Sequence, residues 1–349
     1  MELNKYMFKP KVLFIMMLYD YGIKKRGFSY GYYQMGKTLE KMLGSNFMTY
    51  DYLSIYQEKG KQFMNENIVS FVKEQKPDLT VVHLFTDEFI PETLNELRKY
   101  TKTVCYFWDD VWREQYAVKW APYFDYLTTP DFNGVKKWSH RGFNNVLYSP
   151  YGVNHDFFVN KQNKVYEYDV SFVGMYHPYR EWMVKAVQKL GLKVKVVGNG
   201  WENGFVSYEQ IVEIFNKSKI NLNLSNSVNF NLQYMFSSPR ALKNSFISLS
   251  RGDVKNREQL KGRMFEIPSC GGFQLSYYVE GLESTYEIGK EIVVFNDVKD
   301  LIEKVKYYLK YEDERDQIAS LGYLRTIKGH TYEHRFEELM KFVGIKYEK

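Results

Sequence analysis

A chain of 349 residues is longer than one hydrophobic core usually serves, so two domains of ordinary size are expected. Its composition, 44% hydrophobic and 26% charged, is globular, and no apolar run approaches the roughly 20 residues that cross a bilayer. The mild excess of +6 is spread along the chain without a dense Lys/Arg block, which suits an anionic small ligand or a peripheral contact with a membrane surface; 31 Tyr and 25 Phe offer stacking surfaces for nucleic acid, but no compact basic-aromatic motif favours that partner.

Residues 1–10 lack the apolar core and small-residue cleavage site of a secretory signal, so a cytoplasmic protein is expected. The first element is the apolar run 11–18, the pattern of a strand buried on both faces of a parallel sheet. A loop with Gly22, Gly27 and Gly31 follows, and 32–43 reads as an amphipathic helix stopped by Gly44. The alternation continues with a strand over 47–53, a helix over 62–74, a strand over 78–85, a helix over 91–100, and strands over 103–108, 126–129 and 146–148. The polar stretch 160–167 breaks the pattern. A second series then runs strand 170–173, helix 180–190, strand 193–197, helix 208–216, strand 219–224, helix 259–268, strands 273–275 and 292–295, and helix 301–309. Both halves are therefore α/β, with helices carried to both faces of a parallel sheet by right-handed crossovers. Ligands of such sheets sit beyond the carboxyl ends of the strands. Cys105 and Cys270 lie far apart in apolar or glycine-rich surroundings and read as reduced, buried thiols rather than as a disulfide or zinc site.

The segment 259–297 carries the most chemistry. Lys261 and Arg263 open a short helix, Glu266 follows about a turn later, and Cys270-Gly271-Gly272 closes it. A diphosphate needs fixed positive charge and backbone donors, which an arginine at a helix start supplies. A carboxylate such as Glu266 can accept two ribose hydroxyls, and Gly271 and Gly272 let backbone approach a ligand without a Cβ clash. A surface helix with a glycine C-cap would show the same spacing. In the first half, Asp109-Asp110 ends a strand and is placed to bind acceptor hydroxyls or act as a base, or equally to cap the next turn.

The run Lys261-Gly262-Arg263-Met264-Phe265-Glu266-Ile267-Pro268-Ser269-Cys270-Gly271-Gly272-Phe273 resembles the C-terminal domain of CgeB-like (spore-maturation) glycosyltransferases, relatives of glycosyltransferase group 1. Residues 289–295 and the succession Glu314-Arg315, Ile318-Ala319, Gly322-Tyr323, His330-Thr331-Tyr332 and Arg335-Phe336 support it. The similarity is densest over 169–336 and weak before it. It implies a GT-B architecture of two Rossmann-like, doubly wound domains facing across a cleft. Residues 1–158 would form the acceptor side, 159–330 would bind the nucleotide sugar, and 331–349 would be a helix packing back on the first domain.

The resemblance also assigns roles. Glu266 would hold the ribose and Glu258 face the donor sugar; Gly174 and Arg180 would lie against the diphosphate. Gly198 and Asn199 would lie where the base is expected, and Gly27 would approach donor phosphate or acceptor. His83 would sit near the donor sugar, although a histidine at the end of a buried strand also serves structure alone. His83, Asp109 and Glu258 form the expected catalytic set. No Asp-x-Asp occurs in the sequence, so no metal and no cofactor are expected, and Arg263, Lys261, Arg180 and helix N-termini would meet the leaving-group charge. The expected substrate is a nucleoside-diphosphate sugar, UDP-linked first of all. The resemblance implies retention of the anomeric configuration and leaves the acceptor, whether glycan, protein or small molecule, unspecified. Rival readings are a GT-B epimerase or phosphorylase, a phage-type glycosyltransferase acting on modified DNA bases, and a non-catalytic GT-B protein of the spore coat or cell surface.

Overall fold

The computed structural model describes residues 9–161, 164–225, 231–250 and 259–348. The chain divides into two compact units, one made of residues 1–157 with 331–349 and the other of residues 158–330.

The first unit contains β1 (Val12–Met16), β2 (Phe47–Asp51), β3 (Leu79–Val82), β4 (Lys102–Tyr106), β5 (Tyr126–Thr129) and β6 (Val146–Tyr148). They form a six-stranded sheet in the order β2-β1-β3-β4-β5-β6, with every neighbouring pair parallel. Its helices are α1 (Lys37–Leu43), α2 (Tyr52–Gln75), α3 (Pro91–Leu97), α4 (Glu114–Trp120) and α5 (Gly134–His140). Because side chains alternate along a strand, β1 feeds two cores: Leu13 and Ile15 join α2 and α3 on one face, while Val12, Phe14 and Met16 join α1 on the other. That is why the sequence of β1 is continuously apolar.

The second unit contains β7 (Tyr168–Val173), β8 (Val194–Val197), β9 (Ser218–Asn223), β10 (Gln274–Tyr277) and β11 (Val293–Phe295), in the parallel order β11-β10-β9-β7-β8. Around them lie α6 (Pro178–Gln188), α7 (Tyr208–Asn216), α8 (Leu232–Met235), α9 (Pro239–Ser250), α10 (Arg263–Ser269), α11 (Val298–Lys310) and α12 (Glu312–Gly329). The chain then re-enters the first unit, where α13 (Tyr332–Phe342) buries Tyr332, Phe336, Leu339 and Met340 in the core that holds Val12 and Phe14. The Tyr332 N–H donates to the Val153 carbonyl at 3.0 Å, and Arg335 Nε to the Pro150 carbonyl at 3.1 Å, so the return is pinned by backbone acceptors.

Among the elements that depart from the sequence reading are two helices. The helix expected over 62–74 begins at Tyr52, capped by Asp51, and is interrupted at Gly60, whose φ of 85° breaks it into two pieces. The helix expected from residue 259 begins at Arg263, with Gly262 at its N-cap. Its end is a Schellman motif: Gly271 stands at φ +60°, its N–H reaches the Pro268 carbonyl at 2.7 Å, and the Gly272 N–H reaches the Ile267 carbonyl at 3.0 Å. Pro268 has no N–H for the Met264 carbonyl one turn earlier, and the Tyr286 hydroxyl donates to that oxygen instead, at 3.3 Å.

Candidate functional site

In the second unit, the loops that follow β7 and β8 are laced together. The Gly174 N–H donates to the Val197 carbonyl at 3.0 Å, the Tyr176 N–H to the Asn199 carbonyl at 2.8 Å, and the Trp201 indole N–H to the Gly174 carbonyl at 2.9 Å. Gly198, at φ +138°, is obligatory here, because a Cβ on it would lie 2.0 Å from the Gly174 oxygen. Asn199 itself is exposed. Arg180, in the first turn of α6, folds back and donates to the Met175 carbonyl at 2.9 Å. His177 caps the same helix by accepting from the Tyr179 N–H through Nδ1, at 3.3 Å.

The start of α10 reaches the same strand end. Arg263 Nε points to the Val173 carbonyl at 3.4 Å, and its guanidinium pairs with Glu266. The Glu266 side chain is 0% exposed whereas that of Arg263 is 24% exposed, so the arginine is the member of the pair that meets solvent. Glu266 therefore stands behind Arg263 rather than open to a ribose. Lys261 is half-buried just before the helix. A Cβ on Gly271 would lie 2.5 Å from the Asn160 side chain, and one on Gly272 2.7 Å from Asn221 Nδ2, so packing within the unit already requires both glycines. Asn221 is fully buried and accepts from the Ser171 hydroxyl at 2.7 Å. Glu258 lies outside the described residues. Lys164, which belongs to no motif, holds the end of α10 by donating to the Cys270 and Gly271 carbonyls at 2.7 and 2.6 Å. Burial lowers its amine to about 8. Cys105 and Cys270 are buried, unbridged thiols.

The first unit gathers a different set at the carboxyl ends of β3 and β4. His83 follows β3 and packs its ring on Trp108, with centroids 4.1 Å apart. Trp108 also meets Tyr30 at 5.4 Å and Tyr151 at 5.9 Å, and a Cβ on Gly31 would lie 3.2 Å from it. Burial lowers His83 to about 4, with Asp109 opposing and Arg113 reinforcing the shift, so the imidazole is neutral at physiological pH. The residue as a whole is half-buried. Asp109 lies in the loop that follows β4. Asp110 is buried, accepts from the Trp138 indole N–H at 3.0 Å, and is raised by burial to about 6. His83, Trp108, Asp109, Asp110, Arg113 and Tyr116 all line a cavity of about 20 Å³, the size of one hydroxyl or water.

Gly27 lies in the loop after β1. Its φ of +83° closes the turn, with no atom within 4 Å of where a Cβ would point. The same loop holds Tyr21 in the left-handed region, at φ 53°. Arg113 was not foreseen; the readable signal was an arginine four residues beyond Asp109 at the end of a buried strand. As to metal ligation, among the described residues His155, Asp156 and Glu333 bring ligand atoms within 4.8 Å of one another. The Lys41 ammonium already pairs with Asp156 at 2.6 Å and with Glu333 at 2.8 Å, which supplies the positive charge that trio attracts.

Residues 180–341 match the sequence family described as Glycosyl transferase-like. The chain is 23% identical over 226 residues to the spore protein CgeB of Bacillus subtilis (strain 168), a match covering 60% of this chain and 65% of that protein. Among solved structures, sucrose-phosphate synthase from Thermosynechococcus elongatus superposes with a TM-score of 0.64 at 10% identity, over 96% of this chain and 98% of that one. Anabaena HepE in complex with UDP-glucose superposes with a TM-score of 0.63 at 11% identity, over 96% and 100%. Residues 180–341 thus resemble the glycosyl transferase-like family, in a chain that has the GT-B fold seen in glycosyltransferases.

Proposed function

We propose that the chain transfers a sugar from a nucleoside-diphosphate donor, UDP-linked, to an acceptor, without a metal ion and with retention of configuration. The observation that carries the donor reading is Arg263. It is a partly exposed guanidinium fixed at the end of β7 by the Val173 carbonyl and Glu266, next to the laced loops at Gly174 and Gly198. A fixed cation beside backbone donors suits a diphosphate and stabilises the charge that grows on it as the glycosidic bond weakens. Arg180 and Lys261 add positive charge from the same region. In this reading Arg263 turns to the phosphates and frees Glu266 to accept ribose hydroxyls.

UDP-glucose is the ligand in the HepE structure that shares this fold, which supports UDP as the first donor to test. The absence of Asp-x-Asp from the sequence supports charge neutralisation by side chains. His83, neutral and partly accessible, is the donor-sugar contact proposed in the first unit, with Asp109 next to the acceptor hydroxyl. Isothermal titration with UDP is expected to lose about tenfold or more in affinity in Arg263→Ala, an effect of at least about 1.4 kcal/mol. Transfer is expected to persist in EDTA and to give a retained anomer by NMR. Full UDP affinity in Arg263→Ala would end the donor reading.

A further inference from the structure

Arg113 is the cation of the first-unit site, and its setting is unusual. Nη2 donates to the Phe85 carbonyl at 2.7 Å, and the guanidinium lies 3.8 Å from the centroid of the Tyr116 ring. Both contacts fix the group without neutralising it. Among the described residues no carboxylate comes within 4.0 Å of it, although Asp109 and Asp110 line the same cavity. Glu88, Asp109 and Asp110 lie nearby without closing an ion pair on it, and a half-buried guanidinium in that state carries a desolvation cost that a directly bound anion would offset.

The carbonyl that holds Arg113 belongs to Phe85, and the Phe85 ring meets Tyr21 edge-on at 5.7 Å. Tyr21 is exposed and sits in the left-handed backbone region, a strained place for a bulky residue. Arg26 lies over its ring at 5.6 Å, and Lys24 lies over Tyr19 at 5.8 Å. Lys25, between them, is exposed. Asp20 pairs with Arg26 at 3.4 Å, and Lys24 has only a loose pair with Glu58 at 3.9 Å. The positive field of this loop therefore lies on the same side as Phe85 and Arg113, while Asp110 is turned to Trp138.

We propose that Arg113 binds an anionic group, phosphate or carboxylate, carried by the sugar acceptor, with the Lys24-Lys25-Arg26 loop extending the positive surface. The proposal rests on the sugar-transfer reading and names its acceptor class. The small cavity takes the acceptor hydroxyl beside Asp109, and Arg113 fixes the anion on the neighbouring side. No bond changes at Arg113; it orients the acceptor.

The test is calorimetric titration of the full chain, in the presence of UDP, with glucose 6-phosphate, glucuronate and glucose. At least one anionic sugar is expected to bind about tenfold more tightly than glucose, and Arg113→Met is expected to abolish the difference, Arg113→Lys to keep part of it. Preference for glucose 6-phosphate identifies phosphate as the group, and preference for glucuronate identifies carboxylate. Equal binding of glucose, no binding of any of the three, or an unchanged preference in Arg113→Met overturns the proposal. A loss in Arg113→Met that falls on UDP itself would assign the cation to the donor and also overturn it. Failure of the wild type to bind UDP defeats the transfer reading, whereas UDP binding without an anionic preference defeats only this one. Should Arg113→Met fail to fold, Lys25→Ser on the exposed loop reads the same preference, and no reduction there overturns the proposal.

Discussion

Half-buried His83 and buried Asp110 line the same cavity, and the fold favours the neutral form of each, with opposite consequences in acid. His83 falls to about 4 from an ordinary value of 6.5, chiefly by burial. Between those values the unfolded chain holds a proton that the folded chain does not, so the contribution of His83 is lost as pH falls through that window. Asp110 rises to about 6 from 3.8, again chiefly by burial, opposed by nearby Thr129 and by its hydrogen bond from Trp138. Here the folded chain binds the extra proton, so acid relieves the cost of a buried charge over nearly the same window. The two effects, each at most on the order of 3 kcal/mol, offset one another. Denaturant unfolding at about pH 7 and about pH 5 is expected to show Asp110→Asn losing stability on acidification, His83→Gln gaining it, and the wild type changing least. Equal responses in the two variants would contradict these assignments. His83 and Asp109 were legible because each follows an apolar strand. Arg113 was not, since what fixes it is a carbonyl and a ring distant in sequence. Nor did spacing reveal that Glu266 lies behind Arg263, because burial depends on what α10 packs against.

At the scale of elements, each expected strand is present, because strands covered on both faces must be apolar throughout. Several were read too long at the carboxyl end. The runs 78–85 and 103–108 end in the structure at Val82 and Tyr106. Leu84 and Phe107 remain apolar because they are buried by packing after strand pairing has stopped, and the site residues begin at that change. Helix α12 went unread for a different reason. Its buried face includes Arg315, Gly322 and Thr326, so it has no continuous apolar stripe. A Cβ on Gly322 would lie 2.4 Å from the Glu291 carbonyl oxygen, a contact by closeness rather than by hydrophobic bulk. The α10 helix depends on similar tertiary help. The Tyr286 hydroxyl serves the Met264 carbonyl that Pro268 leaves open and also meets Thr326 Oγ1 at 2.7 Å. Tyr286→Phe is expected to cost about 1–3 kcal/mol through unsatisfied buried oxygens, read as a lower urea midpoint with an unchanged m-value.

At the scale of the whole molecule, a segment that follows the second unit in sequence completes the core of the first. Phe336 is 1% exposed among Val12, Phe14 and Met35. Phe336→Ala is expected to destabilise that core by about 3–5 kcal/mol. Hydrogen exchange provides the check: amides of β1, β3 and β4 should lose protection while those of β7 and β9 keep theirs. Loss confined to β7 and β9 would refute the placement of this side chain.

The interleaving has a consequence for biosynthesis. Residues 332–342 leave the ribosome only after 158–330 have emerged, so the half that is begun first is finished last. Until then Val12, Phe14 and Leu39 lack the covering that α13 gives them, and the nascent chain offers chaperones a nonpolar surface whose lifetime is set by the speed of translation.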